Sequence, residues 1–246
     1  MDKTIKIFHL LLLLFPIAVC GAENQGIESA NYEGRVVYYN SHYHDVDSLK
    51  TTANLPISKI FAANLSAEID NGFGKNYKGG RGFDFTSAEF STSVFIRDQS
   101  IGKIGVSFAY AKSHHDYPSN FFAPKDDVIK KYAVYGSYYV DFITLAASRN
   151  YYESVENNIE NYTTSIGLDL YPSLNTAISL YSYSSLQDTD YNFAITHQPS
   201  LFNNNADLTF SYYNNSSNHD FDSYTLSFNY YFGNRVSLID RDRKYR

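Results

Sequence analysis

The sequence predicts an all-β protein, a closed antiparallel up-and-down transmembrane β-barrel of about twelve strands. Three observations predict it. Apolar and polar residues alternate with a period of two, which is typical of strands with one apolar and one polar face. Beyond residue 30, no stretch repeats apolar residues at helical spacing or approaches the roughly 18 apolar residues of a membrane helix. The alternating segments are even in number, and their connections are mostly short at one end and long at the other.

The start of the chain has the pattern of a secretory signal peptide. Two lysines precede an apolar run over 7–19, and small residues follow it. We expect residues 1–22 to be removed and residues 23–31 to form an N-terminal periplasmic segment. The alternative is a lipoprotein acylated on Cys20, although the branched residue before this cysteine does not suit that processing. Cys20 is the only cysteine, so its loss excludes disulfides and thiol catalysis.

The composition narrows the classes of function. The chain contains 24 Tyr and 18 Phe but no Trp, and only 19% of its residues are charged. A chain this aromatic is not a disordered polymer. Its net charge of −6 argues against a nucleic-acid binder, which would carry a clustered basic excess.

The alternating segments define the strands one by one. In the clearest of them, DSYTLSFNYYF, aromatic and leucine side chains occupy every second position, and Ser, Thr and Asn occupy most of the others. The prolines fall in connections, as a hydrogen-bonded ladder requires. The predicted strands cover 32–43, 48–55, 60–69, 84–97, 103–112, 130–139, 142–152, 161–170, 176–186, 190–197, 205–213 and 222–232.

Alternation alone does not show which face of the barrel is wet, because soluble and membrane barrels share the same period. The polar face carries mostly Ser, Thr, Asn, Gly and Tyr with scattered charges, rather than the dense Lys and Glu of a soluble surface. We therefore expect the apolar face to contact lipid. The outward series in 142–152 includes Arg149, which we expect to lie at the outer interface or to be turned inward by a β-bulge.

The last strand carries a recognisable ending. Its aromatic alternation stops on Phe232 and resembles the C-terminal signal by which the barrel-assembly machinery recognises outer-membrane proteins. From about Tyr32 to Phe232 the chain resembles small Gram-negative outer-membrane barrels, and in strand number the monomeric twelve-stranded porins for oligosaccharides and nucleosides. No specific family motif accompanies the match. Porins for oligogalacturonate line their lumen with arginine ladders, whereas this chain offers only Arg35 and a few lysines on the inward parity.

The resemblance implies a location and partners. The protein is expected in the cell outer membrane as a monomer, in contact with lipid and lipopolysaccharide and assembled through residues 224–232. It implies neither a cofactor nor nucleic acid. After the barrel 32–232, the basic residues 233–246 are expected as a periplasmic tail, mainly solvated, that could contact peptidoglycan or a partner.

The inward parity supplies the candidate lining of the lumen. Acidic and basic residues nearly balance on it, and tyrosines lie among them, so we expect passive diffusion of small hydrophilic solutes with a weak cation preference. The alternative is a non-conducting barrel whose loops bind at the cell surface. The candidate lining residues are Arg35, Lys50, Glu68, Glu89, Lys131, Tyr135, Tyr139, Asp169, Asp207, Tyr213 and Tyr231.

Histidines gather at the long-loop end, next to aspartates. Imidazole and carboxylate together suit Zn²⁺ or Cu²⁺, although polar loops collect the same residues because they favour turns and water. The candidate metal ligands are His42, His44, His114, His115 and His219.

An outer-membrane hydrolase is a further alternative. Asp45 and Asp47, together with His219 and Asp220, resemble the rim carboxylates and His–Asp couple of omptin-like proteases. No acyl-transfer triad can be assembled, so we expect no enzyme.

Two long loops complete the outer end. The loop 70–83 is rich in glycine but lacks the ending of a phosphate-binding loop, and its basic residues Lys75, Lys78 and Arg81 could contact anionic lipopolysaccharide. The aromatic loop 113–129 could either fold into the mouth or cap the rim.

Overall fold

Twelve antiparallel strands form one sheet that closes on itself, which confirms the predicted fold. The computed structural model describes residues 30–42, 44–75, 82–116, 126–185, 188–215, 221–233 and 235–245. Each strand pairs with its neighbours in sequence, and the first pairs with the last. The strands are β1 (Asn31–Ser41), β2 (His44–Pro56), β3 (Phe61–Gly74), β4 (Phe83–Asp98), β5 (Gly102–Asp116), β6 (Asp126–Val140), β7 (Ile143–Ser154), β8 (Ile159–Ser173), β9 (Thr176–Ser184), β10 (Thr189–His197), β11 (Ala206–Asn215) and β12 (Phe221–Tyr231).

Several strands extend beyond their predicted ends. β3 continues to Gly74 and β5 to Asp116, so the two long loops are shorter than the sequence suggests. β1 ends at Ser41 and β2 begins at His44, so residues 44–47, which lie between two predicted strands, belong to β2. Pro172 lies inside β8, close to a register shift between Leu170 and Ser173. The apolar–polar alternation along a strand stops where consecutive polar residues begin, but the pairing with the neighbouring strands continues through those residues. Several of the observed strands are therefore longer than the predicted ones.

Two ends of the barrel can be told apart. The connections 57–60, 99–101, 141–142, 174–175 and 198–205 lie at one end, together with the start of β1 and the end of β12. We call this the turn end and the opposite one the loop end. At the turn end, Asp141, Asn203 and Asn204 adopt positive φ angles of 46°, 49° and 62°. These are residue types that tolerate the left-handed conformation better than others.

The outward face of the sheet is apolar and exposed. Ile104 and Ile166, for example, leave 61% and 66% of their surface uncovered, and other large aliphatic and aromatic side chains are exposed on most of the strands. An exposed apolar surface of this extent is expected where lipid covers the wall. No helix in the described part of the chain is long and apolar enough to cross a membrane.

The C-terminal residues are not the solvated tail that the sequence suggested. Residues Leu238–Lys244 form a short helix, α1, that packs into the turn end, where Leu238, Arg241 and Tyr245 are buried. The Ser237 side chain caps the helix by accepting a hydrogen bond from the Asp240 amide. The basic residues of the last turn complement the helix dipole. Charge counting could not reveal this packing, because the partners of the helix lie on strands distant in sequence.

Candidate functional site: the lumen and its turn-end mouth

The barrel interior holds two adjoining cavities of about 650 and 490 Å³. They share Glu33, Lys50 and Thr52 as lining residues, so they are parts of one lumen. The other lining side chains are mostly Ser, Thr, Asn, Tyr and charged residues. The barrel therefore encloses polar space that can hold water and small polar molecules.

A charged belt crosses one side of the lumen. In register, Arg35 lies opposite Lys50, Lys50 opposite Glu68, and Glu68 opposite Glu89. Lys50 Nζ lies 3.0 Å from Glu68 Oε2, and Lys131 Nζ lies 2.6 Å from Glu89 Oε2. Each of the two neighbouring carboxylates thus has a lysine partner. This charged belt offers both signs of charge, paired side by side, to a passing solute.

A tyrosine wall faces the belt from β9 and β11. The rings of Tyr181 and Tyr183 lie 6.3 Å apart between centroids, and Tyr183 and Tyr213 are separated by the same distance. The Tyr181 hydroxyl donates to Asp169 Oδ2 at 2.8 Å, and the Tyr213 hydroxyl donates to Asp190. These hydrogen bonds hold the rings in place. The tyrosine wall, defined by Tyr181, Tyr183 and Tyr213, can contact both apolar ring faces and polar groups.

All eleven candidate lining residues lie on the inward face, but not all of them reach the open lumen. Asp207 and Tyr231 are 0% and 1% exposed. Asp207 accepts hydrogen bonds from the Asn229 side chain at 2.6 Å and from the Tyr231 hydroxyl. The interpretation of Asp207 and Tyr231 as solvated lining is therefore wrong, because α1 and its neighbours cover them. Tyr139, at 5% exposed, is also mostly covered but still lines the edge of the 490 Å³ cavity.

The sequence reasoning missed several inward charges. Glu33, Arg97, Lys103 and Asp190 continue the same alternation as the residues that were chosen. All four lie within the predicted strands 32–43, 84–97, 103–112 and 190–197, so the alternation alone could have identified them. On the described strands the inward acids are Glu33, Glu68, Asp70, Glu89, Asp127, Asp169, Asp190 and Asp207, and the inward bases are Arg35, Lys50, Arg97, Lys103 and Lys131.

The loop end carries an inward aromatic cluster. Phe83 and Phe85 pack against His44, with ring centroids 6.3 and 5.9 Å away, and against His115 at 6.0 and 5.8 Å. The two phenyl rings lie over glycines of β3. A Cβ on Gly72 would come within 2.2 Å of the Phe85 ring, so glycine is required for this close approach.

The histidines do not form a metal site within the described residues. His114 and His115 are adjacent on β5 and point to opposite faces. His114 Nδ1 lies 2.8 Å from Asp126 Oδ1, and its side chain is exposed, as is His42 at the first turn. In the described ranges, no three His, Cys, Asp or Glu side chains are grouped as metal ligands would be. His219 lies outside these ranges, as does Asp220, so its part in the metal and hydrolase hypotheses stays a prediction.

The helix α1 occupies the turn-end mouth. Leu238 forms a buried cluster with Tyr171 and Ala177, and its amide donates to the Leu174 carbonyl at 2.9 Å. The Tyr171 hydroxyl donates to Asp242 Oδ2 at 2.6 Å. These contacts attach the helix to β8 and β9.

Two arginines extend the contact across the mouth. The Arg241 guanidinium stacks on the Tyr231 ring at 3.4 Å and donates to the Asn204 carbonyl at 3.1 Å. The Arg243 guanidinium lies 5.0 Å from the Tyr139 ring and donates to the Asp141 carbonyl. A desolvated cation–π contact contributes about 2 kcal/mol, which makes Arg241 a principal anchor. The helix thus bridges β6, β8, β9 and β12.

No family model and no curated relative matches the sequence. Solved structures are similar in fold. The KdgM porin has a TM-score of 0.58 and 13% identity, and the match covers 81% of this chain and 99% of that one. The COG4313 outer membrane channel from Pseudomonas putida F1 has a TM-score of 0.70 and 8% identity, over 87% and 100% of the chains. The translocator domain of the autotransporter NalP from Neisseria meningitidis has a TM-score of 0.60 and 8% identity, over 93% and 97%.

Identities this low show the fold alone. These structures share the closed β-barrel fold with this chain, and two of them are named as a porin or a channel while the third is a translocator domain. The same architecture therefore serves more than one activity. The function must be argued from the lumen of this chain.

Proposed function

We propose that this protein is an outer-membrane channel for the passive diffusion of small hydrophilic solutes. The observation that carries the proposal is the continuous polar lumen inside a barrel whose outer face is apolar. A barrel that served only as an anchor would not need such space. The similarity to the KdgM porin and the COG4313 channel supports the same reading.

The lumen charges suit a weak cation preference. On the described strands, eight inward carboxylates face five inward cations. Because the charges of the belt are paired, their electric field falls off over a short distance. Neutral polar solutes therefore meet little electrostatic barrier. The tyrosine wall adds ring faces and hydroxyl groups, which suit solutes that combine both characters, such as sugars or nucleosides.

The location and partners belong to the same proposal. We place the loop end outside the cell and both chain ends in the periplasm, with the apolar wall in contact with outer-membrane lipid and lipopolysaccharide. Assembly would proceed through recognition of residues 224–232 by the barrel-assembly machinery. We propose no catalytic role for the chain.

A non-conducting surface barrel is the second candidate, and one observation favours it. Helix α1 fills part of the turn-end mouth. A permanently blocked lumen would leave the loops as the functional part of the molecule.

Conductance in a planar bilayer tests the proposal. We expect discrete openings with a small cation selectivity in a salt gradient. A protein that inserts and folds, yet conducts neither as the full chain nor without residues 235–246, would contradict the channel function and favour the surface barrel. Different gel mobility of boiled and unboiled samples provides the control for folding.

A further inference from the structure

We propose that α1 is a removable plug that closes the turn-end mouth and sets the fraction of time the channel is open. This inference rests on the proposed channel function and concerns its regulation. It adds to the barrel a second state, in which the C-terminal segment has left the mouth.

The first step of the argument is that α1 stands in the path of a solute. Leu238 and Asp242 line the 490 Å³ cavity at its turn end, together with Tyr139 and Tyr171 of the barrel wall. Asp242 is held there by the Tyr171 hydroxyl, and Arg243 lies against Tyr139. A solute that moves from the lumen toward the turn end therefore meets the helix.

The second step is that the barrel does not need α1 to close. The ladder between β1 and β12 runs from Glu33 paired with Tyr231 to Ser41 paired with Ser223, without any residue of the helix. Residues of α1 donate to the carbonyls of Leu174, Asn204, Asp141 and Ile143 at the turn end, and Asp242 accepts from the Tyr171 hydroxyl. No residue of α1 belongs to a strand pair of the barrel. The helix can leave while every strand keeps its partners.

The third step is that α1 depends on the mouth for its own structure. It has seven residues, and a helix this short is not stable alone in water. Its aliphatic contact with the barrel is small, since Leu238, with Ile239 beside it, packs against Tyr171 and Ala177, and the Tyr245 ring is the other large apolar group that the segment buries. Once withdrawn, the segment would unfold and expose Arg241, Arg243 and Lys244 to water, where charged groups are well solvated. These opposing contributions favour the plugged state and leave the open state as a minor one.

The fourth step concerns where the equilibrium can be shifted. Arg241 is 0% exposed and contacts the Tyr231 ring and the Asn204 carbonyl. Arg235 precedes the helix and is exposed. Arg241→Ala should therefore release the plug, and Arg235→Ala, which removes the same charge from the same segment, is the matched control.

The test compares four proteins in planar bilayers. These are the full chain, a chain ending after residue 234, Arg241→Ala and Arg235→Ala. We expect the time-averaged conductance of the truncated protein to be at least about tenfold higher than that of the full chain. The reason is that the open state of the full chain is the minor state, and a minor state is typically populated at 10% or less. Arg241→Ala should increase the open fraction about tenfold, and Arg235→Ala should behave as the full chain.

A lock by disulfide gives a second, independent readout. Ala177→Cys with Leu238→Cys, in a Cys20→Ser background, places two thiols in the buried cluster. We expect a disulfide to form in membranes, to suppress openings, and to restore them on reduction. A pair that never bonds in the folded barrel would overturn the placement of α1 in the mouth.

The outcomes separate this inference from the proposed function. Equal conductance of the full and truncated chains would overturn the plug and leave the channel standing. If neither folded protein conducts, the proposed channel function is wrong, and so is the role of α1 as its regulator. If the truncated chain does not fold, as judged by gel mobility before boiling, the disulfide pair decides between the same outcomes.

Discussion

The guanidinium of Arg241 lies 3.4 Å from the centre of the Tyr231 ring, so a charged residue of the C-terminal segment is stacked on the last strand of the barrel. Tyr231 in turn donates its hydroxyl hydrogen bond to Asp207 on the neighbouring strand. A cation, a ring and a carboxylate are thus packed in one buried layer at the turn end. This layer joins the barrel to α1, and it explains why Asp207 is closed off from the lumen.

The Arg241 contact predicts how α1 is protected from solvent. Arg241→Ala removes a desolvated cation–π contact of about 2 kcal/mol, so amide exchange in 238–245 should accelerate roughly tenfold or more. Hydrogen exchange with mass spectrometry measures it peptide by peptide. Amides of β12 should keep their protection, as should the whole of the Arg235→Ala variant. Unchanged exchange in 238–245 would show that Arg241 does not anchor the helix.

The apolar outer wall predicts lipid contact on one parity of β12. The chain has no Trp, so a single introduced Trp is a clean probe. Leu226→Trp lies on the outward face and should be quenched by brominated lipids, whereas Thr225→Trp points inward and should respond to an aqueous quencher. Fluorescence in reconstituted vesicles makes the comparison. Equal lipid quenching at both positions would contradict the inward and outward assignment.

Arg149 predicts the depth of β7 in the bilayer. The strand has an unbroken register with both neighbours, so no bulge turns the side chain inward. Its guanidinium instead lies 5.3 Å from the Tyr162 ring and donates to Thr164 Oγ1 at 2.5 Å. Tyr151, one outward position further along, belongs to a row of rings with Tyr162, with centroids 4.9 Å apart. Because aromatic rings gather at the interface, we expect Arg149 to lie near it.

The corresponding measurement is the free energy of unfolding of Arg149→Leu in lipid vesicles. Near the interface an arginine costs about 0–1 kcal/mol, so the substitution should change stability by less than about 1 kcal/mol. Thr164→Val, which removes only the hydrogen-bond partner, is the companion variant. A gain of about 2 kcal/mol or more for Arg149→Leu would place the residue at mid-depth and count against this assignment.

Two aspartates of the inward face should differ in their effect on selectivity. Asp169 lines the open cavity, where Tyr181 donates to it, whereas Asp207 is fully buried. In the chain ending after residue 234, Asp169→Asn should lower the cation preference by roughly one third, because it removes one of three excess negative charges. Asp207→Asn should have a smaller effect, because the Asn229 and Tyr231 side chains still donate hydrogen bonds to Asp207 once α1 is gone. Reversal potentials in a salt gradient give both values, and anion selectivity in the parent would refute the charge argument.

The sequence by itself determined the strands and their two faces. In a segment such as 222–232 the period of two is a property of neighbouring residues, and an extended chain sends them to opposite sides whatever surrounds it. The even number of such segments and the short connections at one end were enough to predict an up-and-down barrel. The inward placement of Arg35, Glu89 and Asp169 followed from the same local rule.

Only the tertiary structure decided which inward residues meet water and which are covered. The charged belt depends on the register between strands. The ladder hydrogen bonds place Glu68 opposite Lys50 on one neighbouring strand and opposite Glu89 on the other. The covering of Asp207 depends on α1, whose partners Tyr139, Tyr171 and Tyr231 are spread over three strands. No local pattern in 233–246 predicts the contact of α1 with these three rings, because the mouth forms only after the sheet has closed and brought the rings together.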